Sequence, residues 1–211
     1  MALLQTLPLE HLPPSHTLHI ALYHNLLNAP FLHQQLLSGN TDFEYAFIDA
    51  SVILSRLHIL AAAYRAVNDS LENRLKSRNV HSEIVFSLSM NNNIAESFRR
   101  FGITPSTTSL LILKVAPASS APQIASHLSS VIEGQAVEFD DEVLRSTTDI
   151  ARVRKLYKLN SGGGAGGGKK GVNANGKANG ATASASEKEE DERKELEIMV
   201  LGAMALRGAT N

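Results

Sequence analysis

The chain of 211 residues contains no cysteine and no tryptophan. Without thiols there is no disulfide scaffold, no zinc–thiolate site, no iron–sulfur cluster and no cysteine nucleophile. Long apolar runs are also missing; none approaches the ~18–20 residues of a membrane-spanning helix. The opening stretch, MALLQTLPLEHLPP, lacks the basic n-region of a secretory signal and carries Glu10 and several prolines. An intracellular soluble protein without membrane contact is therefore expected. Charge of one sign is scarce as well: 20 Lys and Arg face 21 Asp and Glu, a formal net charge of −1. That balance excludes a broad nucleic-acid-coating surface and leaves room only for a local basic patch.

What is present is a hydrophobic fraction of 43%, enough to build a core and to exclude wholesale disorder. The composition changes sharply after Leu159. Residues 160–186 hold nine of the 14 glycines, and Val172 is their one sizeable apolar residue. Such a stretch buries too little surface to offset its ordering entropy and reads as a flexible linker. Residues 187–211 begin with charged helix formers. They continue with Leu196, Met199, Val200, Ala203, Met204 and Leu206 at steps that stack on one helix face. Ser186 reads as the N-cap of that helix. The apolar face is too short to fold alone, so it is expected to dock on the main domain, on a partner, or on both.

Residues 1–159 read as one α/β domain. Thr17–Tyr23, Tyr45–Ile48, Glu83–Leu88 and Leu110–Val115 have the β-branched or alternating character of strands. Phe31–Leu37, Ile94–Phe101 and Gln123–Ile132 read as helices, followed by Gly39, Gly102 and Gly134. The run Asn91–Asn93 reads as a turn and N-cap, and Asp140 as the cap of a helical region over 141–158. Ile53, Leu57, Leu60, Tyr64, Val67, Leu71 and Leu75 recur at steps of three and four, one stripe of a long amphipathic helix. Together these elements predict a small mixed sheet packed by helices.

Several candidate chemistries dissolve on inspection. Gly163–Lys169 matches G-x-x-x-x-G-K, but Lys170 stands where a phosphate loop needs Ser or Thr, and no strand precedes it. The eight histidines show neither H-x-x-x-H nor H-E-x-x-H spacing and read as surface or half-buried residues. Asp140, Asp141 and Glu142 suit a helix N-terminus better than an acid–base pair. No serine has a G-x-S-x-G setting. Neither catalysis nor a cofactor or metal is called for. Two basic clusters remain: Arg65, Arg74, Lys76 and Arg78, and then Arg152, Arg154, Lys155 and Lys158. Each suits a solvated helix end or a small phosphate-contacting patch.

A set of local strings occurs in a telling order. It runs from Ala46-Phe47-Ile48-Asp49 to Lys76-Ser77-Arg78-Asn79-Val80-His81-Ser82-Glu83. Asn91-Asn92-Asn93-Ile94-Ala95-Glu96-Ser97-Phe98 and Phe101-Gly102-Ile103 follow. Gly134-Gln135, Arg154-Lys155-Leu156-Tyr157-Lys158-Leu159 and Leu206-Arg207-Gly208 complete it. In order and spacing the chain resembles the small non-catalytic KEOPS/EKC complex subunits of the PRPK-binding protein (TPRKB) family. The resemblance covers about 17–159 and 196–208. It departs from the family at 160–186, where a shorter loop is usual; such an insertion adds little closure entropy.

The resemblance implies a single α/β domain with no enzyme activity of its own. Its implied direct partner is the small atypical kinase/ATPase subunit of KEOPS/EKC, with the other subunits reached through it. The complex makes threonylcarbamoyladenosine in tRNA, and this family helps recruit tRNA by its single-stranded 3′ end. Residue by residue, Arg65, Arg74, Lys76 and Arg78 match tRNA-contacting positions. Leu196, Met199, Val200, Ala203, Met204 and Leu206 match the kinase-docking helix. A nuclear and cytoplasmic location, with a link to chromosome ends, is expected on the same ground. The alternative reading is a free-standing RNA-binding module.

Overall fold

The computed structural model describes residues 3–159 and 185–207. Gly163–Lys169 lies outside these residues, as does nearly all of the expected linker. In chain order the strands are β1 (Gln5–Leu7), β2 (Thr17–His24), β3 (Ala46–Asp49), β4 (Leu110–Ala116) and β5 (Gln135–Val137). The helices are α1 (Ala29–Leu37), α2 (Arg56–Leu71), α3 (Val80–Ser87), α4 (Ile94–Phe101), α5 (Ala121–Val131), α6 (Asp141–Thr147), α7 (Ile150–Leu156) and α8 (Ala185–Ala205). The last of these starts one residue before the expected cap, Ser186.

The α/β class is as the sequence predicts. The sheet runs β1-β2-β4-β3, with β5 also on β2, and every pairing is antiparallel rather than mixed. The central strand β2 is buried along Thr17–Tyr23. Strand alternation then sorts its side chains into two cores. Leu18, Ile20 and Leu22 join Ala46, Ile48, Leu111 and Leu113 beneath α2, α3, α6, α7 and α8. Ala21 and Tyr23 join Phe47, Leu110 and Ile112 beneath α1 and α5. The sheet is thus covered on both faces.

Two expectations are corrected. Glu83–Leu88 was expected as a strand, yet 80–87 form α3. Its N-cap is Asn79, whose Oδ1 accepts from Ser82 N at 2.9 Å. Six of its eight residues are buried, because it lies between α2 and the sheet. A short helix buried on nearly every side, polar residues included, shows no 3.6-residue stripe, so a run of this kind carries no periodicity to separate it from a strand. The second correction is the phase of α2. The helix starts after the Ser55 cap and buries His58, Ile59, Ala62, Ala63, Ala66 and Val67. Leu57 (53% exposed) and Tyr64 (41%), both on the expected stripe, face outward. Small alanines permit the close packing of α2 on α3 that larger side chains prevent.

The helical region 141–158 divides at Thr148, which is extended. Asp149 Oδ1 accepts from Arg152 N at 2.9 Å and restarts the helix as α7. Asp140 and Asn93 cap as expected, accepting from Val143 N at 2.7 Å and Glu96 N at 2.9 Å. Gly102 ends α4 for a steric reason: a β-carbon there would meet Phe98 O at 2.6 Å.

Candidate functional site

The first basic cluster spans the end of α2 and the loop to α3. Asn73, at φ 53°, turns the chain out of the helix. The loop is then pinned from within by Glu83, which is fully buried. Its Oε2 accepts from Lys76 N at 3.1 Å, Ser77 N at 2.8 Å and Ser77 Oγ at 2.6 Å. Backbone anchored in this way leaves the Lys76 and Arg78 side chains exposed. Neither makes an ion pair among the described residues.

The other two cluster members are engaged. Arg65 donates to Met204 O at 2.8 Å in the last turn of α8 and to Arg207 O at 3.3 Å just beyond it. Arg74 pairs with Asp69 at 3.1 Å and Glu72 at 3.0 Å. Of the four positions expected to contact phosphate, the structure leaves Lys76 and Arg78 unpaired, while Arg65 serves α8.

Arg78 also borders a cavity of about 590 Å³. Leu36, Phe43, Phe98 and Ile103 give it apolar walls, and Arg99 supplies a second cation. Gly39, at φ +69°, forms part of the rim, and a β-carbon there would stand 2.9 Å from Arg78 Nη1. The bare glycine backbone lets the guanidinium lie at the cavity mouth. Aromatic walls beside guanidinium groups are the surface that unstacked bases and their phosphates need. Sequence reading did not find this site, because α1, α3 and α4 meet there only in the fold.

Helix α8 presents two faces. Leu196, Val200 and Met204 are buried in the main core, and Met199 and Ala203 pack partly against it. Outward lie Ile198 (70% exposed) and Leu206 (59%). Between them Gly202 is open, with nothing within 4 Å of an added β-carbon. The exposed apolar residues of the C-terminal half therefore border a flat strip that a partner's side chains can approach closely. Ile198 was absent from the expected docking face because it lies off the inward stripe.

Arg207, just past the helix, is 5% exposed. It donates from Nη1 to Phe86 O, and its guanidinium lies 4.0 Å from the Phe86 ring centroid. Burial, with Arg65 close by, pushes its pKa down to about 10, while Glu83 and Asp69 oppose the shift.

In the second basic cluster, Arg152 donates to Asp49 Oδ2 at 2.7 Å and Ser51 Oγ at 2.8 Å. That ties α7 to the end of β3 and gives Asp49 a structural task. Three of the histidines read as surface or half-buried, His19, His58 and His81, are instead in the interior.

An exposed apolar helix face and a basic loop beside a cavity are the kinds of surface by which binding subunits engage other macromolecules. The family model described as "Kinase binding protein CGI-121" matches residues 23–208, and the chain belongs to that family. Among its relatives, "EKC/KEOPS complex subunit cgi121" of Aspergillus fumigatus is 52% identical over 98% of both chains. "EKC/KEOPS complex subunit CGI121" of Coccidioides immitis is 50% identical over the whole of both. The Schizosaccharomyces pombe protein of the same printed name is 33% identical over 70% of this chain and 84% of its own.

Proposed function

We propose that this chain is a regulatory, non-catalytic subunit of a KEOPS/EKC complex for tRNA threonylcarbamoyladenosine formation. It docks the small atypical kinase/ATPase subunit on the outward strip of α8 and favours its active state. It also helps recruit tRNA by the single-stranded 3′ end. The family and the names of the relatives support the complex and the kinase. The observation that carries the two-contact reading is the separation of surfaces. The strip of Ile198, Gly202 and Leu206 and the loop of Lys76 and Arg78 belong to different elements, so both are open at once. Two modest contacts in one assembly raise avidity without new chemistry. The cavity beside Arg78 suits a terminal base, with its phosphate on the guanidinium. Work in the nucleus and the cytoplasm, with a link to chromosome ends, goes with this reading.

The docking test is calorimetric titration of the kinase subunit with wild type and Ile198→Glu. Met204→Glu would strike the core and confound the result; Ile198 is on the surface. A buried charge at a docking strip is expected to weaken binding at least ~30-fold. Undiminished binding by Ile198→Glu and by Leu206→Glu would sink the strip as the docking face. No binding by folded wild type, with tight RNA binding retained, would favour the free-standing RNA-binding module.

A further inference from the structure

Glu83 is the one described carboxylate with zero exposure, and Arg207, just past the end of α8, reaches its helix α3 at Phe86. One oxygen takes all three donors from the loop; the other, Oε1, is buried without a hydrogen-bond partner among the described residues. Buried carboxylates are ordinarily matched by a positive group. Arg207 reaches the same helix one turn on: it donates to Phe86 O and lies 4.0 Å from the Phe86 ring centroid, close to Glu83 but outside ion-pair distance of it among the described residues. Its Nε is likewise buried and unpaired among the described residues. Arg207 arrives with α8, whose end is held by Arg65. Arg65 and Arg74 in turn share Asp69.

We propose that Glu83 is the positioning residue of the basic loop and that Arg207 supplies its counter-charge, so the seating of α8 governs how Lys76 and Arg78 meet RNA. The proposal rests on the RNA-contact reading above and adds its regulation. Kinase docked on the outward strip holds α8 down, keeps Arg207 beside Glu83 and keeps the loop ordered. By linkage, RNA on the loop strengthens kinase docking by the same factor.

The experiment uses the full chain and labelled tRNA at one salt concentration, with hydrogen exchange at the Lys76 and Ser77 amides as a second readout. Glu83→Gln and Arg207→Met are expected to speed exchange at both amides and weaken tRNA binding roughly fivefold, the low end of typical coupling. Arg207→Lys keeps the charge and should retain most of the affinity. Adding kinase subunit should slow exchange at the same amides in wild type. Ser77→Ala removes one donor to Glu83 from the loop side and stands in if the buried variants do not fold; the same direction of change is expected. The charge removals Lys76→Ala and Arg78→Ala separate the two ideas. If they leave tRNA binding unchanged, the RNA reading itself is wrong. If they weaken it while Glu83→Gln, Arg207→Met and Ser77→Ala change neither exchange nor affinity, the positioning role is overturned.

Discussion

At the residue scale, two buried histidines link stability to pH. His58 Nδ1 accepts from Leu54 N at 3.1 Å, so Nε2 carries the proton toward Tyr157 Oη at 2.8 Å. Tyr157 Oη donates onward to Leu88 O at 2.5 Å. A second proton on His58 would remove the acceptor for Leu54 N–H, and burial pushes its pKa down to about 3. His81 Nε2 accepts from Val115 N at 3.1 Å. Burial, with the Lys114 charge beside it, also lowers its pKa to about 3. With folded values below the unfolded ~6.5, the unfolded chain binds more protons between them. The stability of the neutral histidines is whole above pH ~6.5 and is lost as pH falls toward 3, by up to ~1.4 kcal/mol per unit for each. Urea midpoints at pH 7.5, 6 and 5 should therefore fall steadily. His81→Gln, whose amide oxygen still accepts from Val115, should flatten the slope by about half. Equal midpoints at pH 7.5 and 5 would show that these rings are not held neutral.

At the element scale, α8 separates a buried apolar stripe from an exposed one. Leu196→Ala opens the core and should cost about 2–5 kcal/mol in denaturant unfolding, whereas Ile198→Ala should stay within about 0.5 kcal/mol. Equal losses for the two would mean that the helix is not seated as described. The same helix shows what sequence makes legible. Its apolar stripe at Leu196, Val200 and Met204 was readable from spacing, because a helix covered on one side leaves a 3.6-residue trace. Which apolar residues stay outside was not, since Ile198 and Leu206 look as hydrophobic as their neighbours. For α3 the trace vanishes under burial on every side, and Glu83 was assigned to a strand. For α2 the core contact is made by alanines, so the larger, conspicuous stripe pointed to the wrong face. Lys76 and Arg78 were legible as part of a charged string. The Glu83–Arg207 relation was not, as 124 positions separate the two residues and only the fold brings them together.

At the scale of the whole molecule, a net charge of −1 leaves no general attraction for RNA. Any affinity must come from a few local phosphate contacts, and salt dependence counts them. For single strands the slope of log K against log salt is about −0.7 per neutralised phosphate. Four contacts, as the cluster Arg65, Arg74, Lys76 and Arg78 suggests in sequence, would give a slope of about −3. In the fold Arg65 is spent on carbonyls in the last turn of α8 and just beyond it, and Arg74 on two carboxylates. Lys76 and Arg78 alone would give about −1.4, and Arg99, paired with Glu96, a fraction more at most. Titrating tRNA binding across a range of salt should therefore return a slope between about −1 and −2, and Lys76→Ala should make it shallower by about 0.7. A slope near −3 in wild type would mean that further cations take part. Replacing Lys169, Lys170 and Lys177 by Gln would then decide their source. A return to the shallow slope traces them to the glycine-rich segment; no change traces them to cations of the folded domain, either Arg65 and Arg74 released from their partners or the cluster of Arg154, Lys155 and Lys158.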